Sequence, residues 1–236
     1  LLYDAGPAFS ADADSGERVI APYLRAAGIE RLDAMIVTHD DNDHAGGAAS
    51  VLENFEVGEL LSSLPAEHPL QGLAPWSRRC AAGRAWEWDG VRFELLHPEG
   101  GVLRAKRGND LSCVLKVTAG GRSMLLTGDI EKAAETELLQ RSREKLASDV
   151  LLVPHHGSRT SSTADFLAAV GASVAVIPVG YRNRFGHPNA GVLERLHAQV
   201  YRTDGDGAVG AYLSRKGVEI HTQRRENRRY WHDAPP

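Results

Sequence analysis

Apolar and polar positions alternate along this chain between short buried runs and longer stretches with helical spacing. Leu1 to Tyr3 reads as the end of a buried strand, closed by Asp4-Ala5-Gly6-Pro7. Val19, Ile20, Tyr23, Leu24 and Ala27 then recur at helical spacing from about Arg18, with Gly28 as the stop and Pro22 confined to the first turn. Leu32 to Val37 is a strand, a small-residue run from Gly46 to about Asn54 a helix, and Val57 to Leu61 a returning strand. Pro65 to Gly83 carries no assignable period.

Further on, the pattern is set by tight turns. Arg84 to Leu96 is strand-like on both sides of Asp89-Gly90, a two-residue hairpin signal. After a basic loop, Arg104 to Asp110, a second hairpin joins Leu111–Val117 to Ser123–Leu126 through Gly120-Gly121. There follow a helix from about Glu131 to Leu146, a strand Val150–Val153, and a helix through Val170 with Ser161, Ser162 and Thr163 as N-cap candidates. Val174–Val179 is a strand, Val192–Gln199 a helix, and Val200 to His221 a set of short strands. Strands and helices alternate, but the hairpins exclude a purely parallel sheet. The pattern predicts an α+β chain of mixed sheets packed face to face with helices outside. No linker-like shift or short repeat interrupts it, so residues 1–236 read as a single domain. A polar tail runs from about 224 to 236, and its Arg224-Arg225-Glu226-Asn227-Arg228-Arg229 reads as a solvated charge run.

Composition adds bounds. A chain of 236 residues, 42% hydrophobic and 25% charged, can bury a substantial core as an ordinary globular protein. The net charge of −4 gives no global reason to bind nucleic acid, so any such site is local. No window is apolar enough to span a membrane, and no signal-peptide pattern opens the chain. Because it begins already strand-like at Leu1, it reads as a fragment of something longer. Cys80 and Cys113 lack metal-ligand spacing; they read as two buried thiols, with a single disulfide as the alternative.

The chemistry is concentrated in Thr38-His39-Asp40-Asp41-Asn42-Asp43-His44-Ala45-Gly46-Gly47. Two imidazoles and three carboxylates follow a strand and precede a helix. So many acceptor groups on one short loop repel one another unless a cation lies among them. An acidic turn before a helix N-terminus is the bland alternative. Asp4, Asp129, His155-His156 and His187 also fall just past predicted strand ends, and strand ends at one sheet edge converge.

His39-x-Asp41-x-Asp43-His44 resembles the metallo-β-lactamase superfamily signature HxHxDH, with Asp in place of its second His. More narrowly, the chain resembles the C-terminal nuclease-like domain of the competence DNA-uptake channel family (ComEC). The matching pieces are that loop, Asn109-Asp110-Leu111-Ser112, Thr127-Gly128-Asp129, His155-His156-Gly157-Ser158, Gly186-His187-Pro188-Asn189 and Thr203-Asp204-Gly205. The resemblance implies an αββα sandwich and a two-metal phosphodiesterase that acts on DNA during uptake in natural transformation. It implies that His39 and Asp41 hold one metal, and Asp43 and His44 the other. Asp129 would bridge, and His155 would complete the second site. Many superfamily members add a His to the first site, but Gly108 to Ser112 contains none. Oxygen-rich coordination favours Mn²⁺, with Mg²⁺ or zinc as alternatives, and no small organic cofactor is implied.

On this reading Asp43 and Asp129 are catalytic as well as ligating, and His187 contacts the phosphate or protonates the leaving group. Asp4, Asn109, Ser112 and His156 support the ligands. Ser158 and Arg159, with Ser161 and Ser162 before a helix N-terminus, join Arg182 and Arg184 as a phosphate track. DNA, single-stranded or duplex, would be held through its backbone with little sequence preference, since no base-reading helix or aromatic stacking motif stands out. The implied partner is the membrane channel portion of the same parent chain, in the bacterial inner membrane, with this domain itself soluble. The competing functions are a phosphodiesterase for a small substrate such as a phosphocholine ester and a non-catalytic DNA-guiding module. A β-lactam or thioester hydrolase is disfavoured by the imidazole that Asp41 replaces.

Overall fold

A computed structural model describes residues 1–100 and 108–229, which divide into two compact units. Most of the expected basic loop and the end of the polar tail lie outside the described residues. The first unit comprises Leu1–Ala82 and His97–Cys113; the second comprises Gly83–Leu96 and Val114–Pro236.

The first unit is built on a four-stranded sheet in the order Leu2–Tyr3, Met35–Val37, Leu60–Ser62, Ser77–Arg79, every neighbouring pair parallel. The last strand comes from the segment whose sequence shows no period: Ser77-Arg78-Arg79 is polar because it is a sheet edge, largely exposed. The expected Leu32–Val37 strand is broken at Asp33-Ala34. Arg31–Leu32 instead pairs with Glu56–Val57 in a small ladder of its own. The first helix also starts earlier than its period suggests, since a wide π-type turn over Gly16–Ile20 runs into Ala21–Ala26. Pro22 is the second residue of that α-helical segment rather than part of the first turn of the whole helix.

Met35 and Val37, two residues apart and so on one face of their strand, pack with Leu24, Val51, Leu52, Leu60 and Leu64 into one core. Helix Ala48–Asn54 approaches so closely that a Cβ on Gly47 would lie 2.4 Å from the Ala5 carbonyl oxygen, which only glycine tolerates. Cys80 and Cys113 are joined as a disulfide, not the two thiols the sequence suggests. Their spacing of 33 residues carries no signal, and only the fold brings the strands together.

The second unit is a seven-stranded mixed sheet, in the order Gln199–Arg202, Val174–Ile177, Val150–Leu152, Arg122–Leu126, Val114–Ala119, Val91–His97, Ala85–Trp88. The first four run parallel, while each of the two expected hairpins supplies an antiparallel pair. Helices Lys132–Leu146, Ala164–Val170 and Ala190–Arg195 bury Leu138, Leu146, Phe166, Val170 and Val192 against Leu125, Leu151 and Ile177. Phe166 is fully buried, and truncating such a ring costs about 3–5 kcal/mol. A hairpin, Val209–Ser214 with Gly217–Thr222, places Val209, Val218 and Ile220 against Val150, Val174 and Tyr201.

The Arg224–Arg229 run is not simply solvated. Gln223–Glu226 is a helical turn; Arg224 Nη1 donates to the Asp204 carbonyl at 3.0 Å, and Arg225 pairs with Asp206 at 3.6 Å.

Candidate metal centre

In the first unit the donors are delivered by a parallel strand. Met35–Val37 is wholly buried, and the chain leaves it through Thr38 and His39, also buried, before turning outward at Asp40 and Asp41. Asp41 precedes a short helical turn, Asn42–Ala45, which carries Asp43 on its exposed side and His44 inward. The His39 and His44 rings lie 4.2 Å apart between centroids. His39 Nε2 is 3.4 Å from Asp41 Oδ2, and His44 Nε2 is 3.9 Å from Asp43 Oδ2.

These rings are aimed by groups behind them. Asp4 sits in the left-handed region at φ 58, and its carboxylate accepts from Thr38 N at 2.7 Å, Thr38 Oγ1 at 3.0 Å and His44 Nδ1 at 2.7 Å. With its proton held on Nδ1 by a half-buried carboxylate, the neutral His44 ring presents the lone pair of Nε2, the form a metal ligand requires. His39 Nδ1 is 2.9 Å from Thr38 Oγ1 and 3.4 Å from Ser112 Oγ. Asp4 and Ser112 therefore stand behind the two imidazoles. Asn109 is in the turn Gly108–Leu111, where its carbonyl accepts from Ser112 N at 2.9 Å. His68, 3.1 Å from Asp40, is a neighbour of the loop that the sequence did not single out.

In the second unit Asp129 follows strand Arg122–Leu126, has its side chain 5% exposed, and faces two histidines. His156 Nε2 lies 3.4 Å and His155 Nε2 3.7 Å from its Oδ2. His156 Nδ1 is 2.6 Å from the Pro178 carbonyl oxygen, which can only accept, so Nδ1 bears a proton and in the neutral ring Nε2 carries the lone pair. His155 Nδ1 contacts Glu131 Oε1 at 3.1 Å, and Thr160 Oγ1 donates to the same oxygen at 2.7 Å. His155 and His156 both adopt positive φ, 48 and 53, a costly conformation for residues with a Cβ and one that turns both rings towards Asp129. His156, expected only in a supporting role, thus has the tautomer and the approach to Asp129 of a donor. Glu131 went unnoticed in the sequence, because a Glu before a helix reads as an N-terminal charge.

His187 is 5.8 Å from His155 between ring centroids, and its backbone is held on both sides by the Asn183 amide. The proposed phosphate track is rearranged. Ser158 is buried, with Oγ 3.0 Å from Thr160 Oγ1, and Ser161 Oγ donates to the Pro154 carbonyl at 2.9 Å. The helix N-terminus at Thr163 already receives an anion: the Glu135 carboxylate accepts from Ser162 N at 2.5 Å and Thr163 N at 2.9 Å. Burial pushes the Glu135 carboxyl above its ordinary value, and the hydrogen bonds from Thr163 and Ser162 oppose that rise. Arg159, Arg182 and Arg184 are exposed.

Each donor set fits a divalent cation by its chemistry. Asp43 and His44 offer ligand atoms within 4.8 Å of each other, as do Asp129 and His156, and the carboxylates and neutral imidazoles suit Mn²⁺, Mg²⁺ or Zn²⁺.

The family model described as "Metallo-beta-lactamase superfamily" matches residues 1–181. "Competence protein ComA" of Neisseria gonorrhoeae is 39% identical over 238 residues, covering 100% of this chain and 32% of that protein. "Recombination protein 2" of Haemophilus influenzae is 37% identical over 227 residues, covering 95% of this chain and 27% of its own length. The chain thus spans about a third or less of the length of these relatives. Among solved structures, the metallo-β-lactamase fold protein YhfI from Bacillus subtilis superposes with a TM-score of 0.50 at 11% identity, over 93% of this chain and 98% of that one, a likeness of fold alone.

Proposed function

The chain belongs to the metallo-β-lactamase superfamily, and from that premise we propose that it is a metal-dependent phosphodiesterase that hydrolyses DNA during uptake. The observation that carries this reading is the Asp4–His44 pair. A half-buried carboxylate fixes the tautomer of a histidine in the same short loop as Asp41 and Asp43, which supports a role for Nε2 in presenting a lone pair to a cation. Relatives named for competence and recombination favour DNA as the substrate.

We assign His39, Asp41, Asp43, His44, Asp129 and His155 as metal donors, with His156 added from its geometry. Two divalent ions bound by these residues would activate water and neutralise the phosphate. This chain's own residues do the rest. Asp4, Glu131 and the Pro178 carbonyl hold His44, His155 and His156 in their ligating tautomers, and Ser112 supports the His39 ring. Asp43 and Asp129 keep negative charge where cations are needed. We assign His187, whose ring centroid is 5.8 Å from that of His155, to contact the phosphate or to protonate the leaving oxygen. Arg159, Arg182 and Arg184 neutralise the backbone, so binding weakens as salt rises. The channel portion of a longer parent chain, in the inner membrane, would deliver the strand.

The test is direct. The chelator-stripped chain is incubated with end-labelled single- and double-stranded DNA in Mn²⁺, Mg²⁺ or Zn²⁺. Mn²⁺ is expected to restore cleavage best, because Asp41 stands where an imidazole would favour zinc. Equal or better rescue by zinc would remove the oxygen-rich assignment. Absence of DNA cleavage in every metal, with turnover of a small phosphodiester, would transfer the chain to the small-substrate reading.

A further inference from the structure

The loop after strand Val174–Ile177 carries more than cations. Tyr181 is 52% and Phe185 66% exposed, a large apolar cost for two rings four residues apart. Each carries an arginine: the Arg182 guanidinium lies 5.0 Å from the Tyr181 centroid, and that of Arg184 4.9 Å from Phe185. Phe185 in turn stacks on His187, centroids 5.8 Å apart and planes 17° from parallel. His187 reaches His155 of the donor set. The loop is held in shape, since Asn183 bonds to His187 N, His187 O and Gly180 O. Residues 180–190 contain no acid.

Exposed rings alone would suit a protein partner or a membrane. Rings topped by guanidinium, in an acid-free loop on a chain of net charge −4, suit a ligand that is both flat and anionic. Unpaired nucleobases with their phosphates are that ligand: every base has a π-face to lay on a ring, and the displaced arginine is released to the phosphate. In a duplex those faces are already stacked, except at ends.

We infer that Phe185 and Tyr181 form a base-stacking platform that selects single-stranded or frayed DNA and feeds it past His187 to the metal donors. This rests on the DNA phosphodiesterase reading and adds to it a preference that phosphate contacts alone do not supply. The sequence hid it because two aromatics separated by Arg-Asn-Arg match no stacking motif of the usual single-strand binders.

Binding is measured by fluorescence anisotropy in Ca²⁺ and again in chelator. The probes are a labelled oligothymidylate, an abasic oligomer of equal length and a blunt duplex. Phe185→Ala should weaken oligothymidylate binding roughly 5- to 150-fold, the range for losing one stacked base. Binding of the abasic strand should be unchanged, and Phe185→Trp should restore the wild-type preference. Unchanged melting of each variant shows that the fold is intact. Equal weakening of base-bearing and abasic strands, or no weakening, overturns the platform; if both variants still cleave DNA, the phosphodiesterase reading survives. No binding to any oligonucleotide in either condition, and no cleavage, defeats both. Loss of binding to anionic vesicles in Phe185→Ala, with oligothymidylate binding intact, would give the loop to a membrane surface and also overturn the proposal.

Discussion

In the first unit His44 is aimed by a carboxylate from another strand end, whereas in the second a main-chain carbonyl aims His156 and a carboxylate only its neighbour His155. Asp4 reaches across 40 residues of sequence to His44 Nδ1, and it can do so because a left-handed φ turns its side chain back onto Thr38. His156 donates instead to Pro178 O, and the left-handed φ belongs to the histidine itself. The first arrangement rests on a side chain that mutation can remove; the second rests on backbone that mutation cannot touch directly. The lesson is that equivalent tautomers are reached by independent devices, so the two donor sets should fail differently.

Removing a donor from either set is expected to have the largest effect. Asp43→Ala and Asp129→Ala should each lower turnover by more than the roughly 100-fold typical of a lost supporting group. Circular dichroism should remain that of the folded chain, because neither carboxylate belongs to the apolar cores. Near-normal activity in either variant would remove that residue from the donor set.

The disulfide comes next, because it sharpens the asymmetry. Cys113 N donates to the Thr38 carbonyl at 3.2 Å, and Cys80 N to Ser62 O at 2.9 Å, so the staple fastens the strand ends that carry the first donor set. For a loop of 33 residues, the chain-entropy relation gives about 3.7 kcal/mol. Paired Cys80→Ser and Cys113→Ser replacement should lower denaturation stability by about that amount. Hydrogen exchange should accelerate around Val37, Thr38 and Ser62, while Val150–Leu152 keeps its protection. Uniform acceleration would show that the staple serves the whole chain rather than one unit.

A smaller effect is expected from Asp4→Asn, which keeps the shape but loses the charge that holds the proton on His44. Metal affinity, read by competition with a chelating dye, should fall roughly 10- to 100-fold. Glu131→Gln, at a partly exposed carboxylate, should cost less. The reverse order would mean that His155, not His44, dominates binding.

Most of the strands, both hairpins and the residues proposed as donors are legible in the sequence because those signals are local: apolar runs, Asp-Gly and Gly-Gly turns, and a dense His/Asp loop. What it did not disclose depends on contacts between distant residues. Ser77–Arg79 reads as irregular because edge strands need no apolar face. The Cys80–Cys113 bond has no spacing rule. Glu135 looks like an ordinary helical glutamate, yet it occupies the very helix N-terminus that the serines and threonine seemed to leave for phosphate. His156 looked secondary because nothing in a sequence reports which ring nitrogen meets a carbonyl.

The smallest expected effect separates the histidines of the two candidate donor sets from an exposed one. His221 Nδ1 lies 2.5 Å from Glu226 Oε1 and its Nε2 2.9 Å from Glu219 Oε1, so both nitrogens face acceptors and neither is reserved for a metal. The hydrogen bond to Glu226, then that to Glu219, raises its pKa above the ordinary 6.5. A raised folded-state pKa means that the imidazolium stabilises the fold fully below the unfolded value and that this contribution is lost as pH rises through the folded value. Glu226→Gln should therefore lower stability only on the acidic side of that window, at pH values where the glutamates are still ionised, and converge with wild type in alkali. The His221 ring protons, followed by NMR, should titrate above 6.5 in wild type and move down further in Glu226→Gln than in Glu219→Gln. An unshifted titration would show that solvent screens both carboxylates.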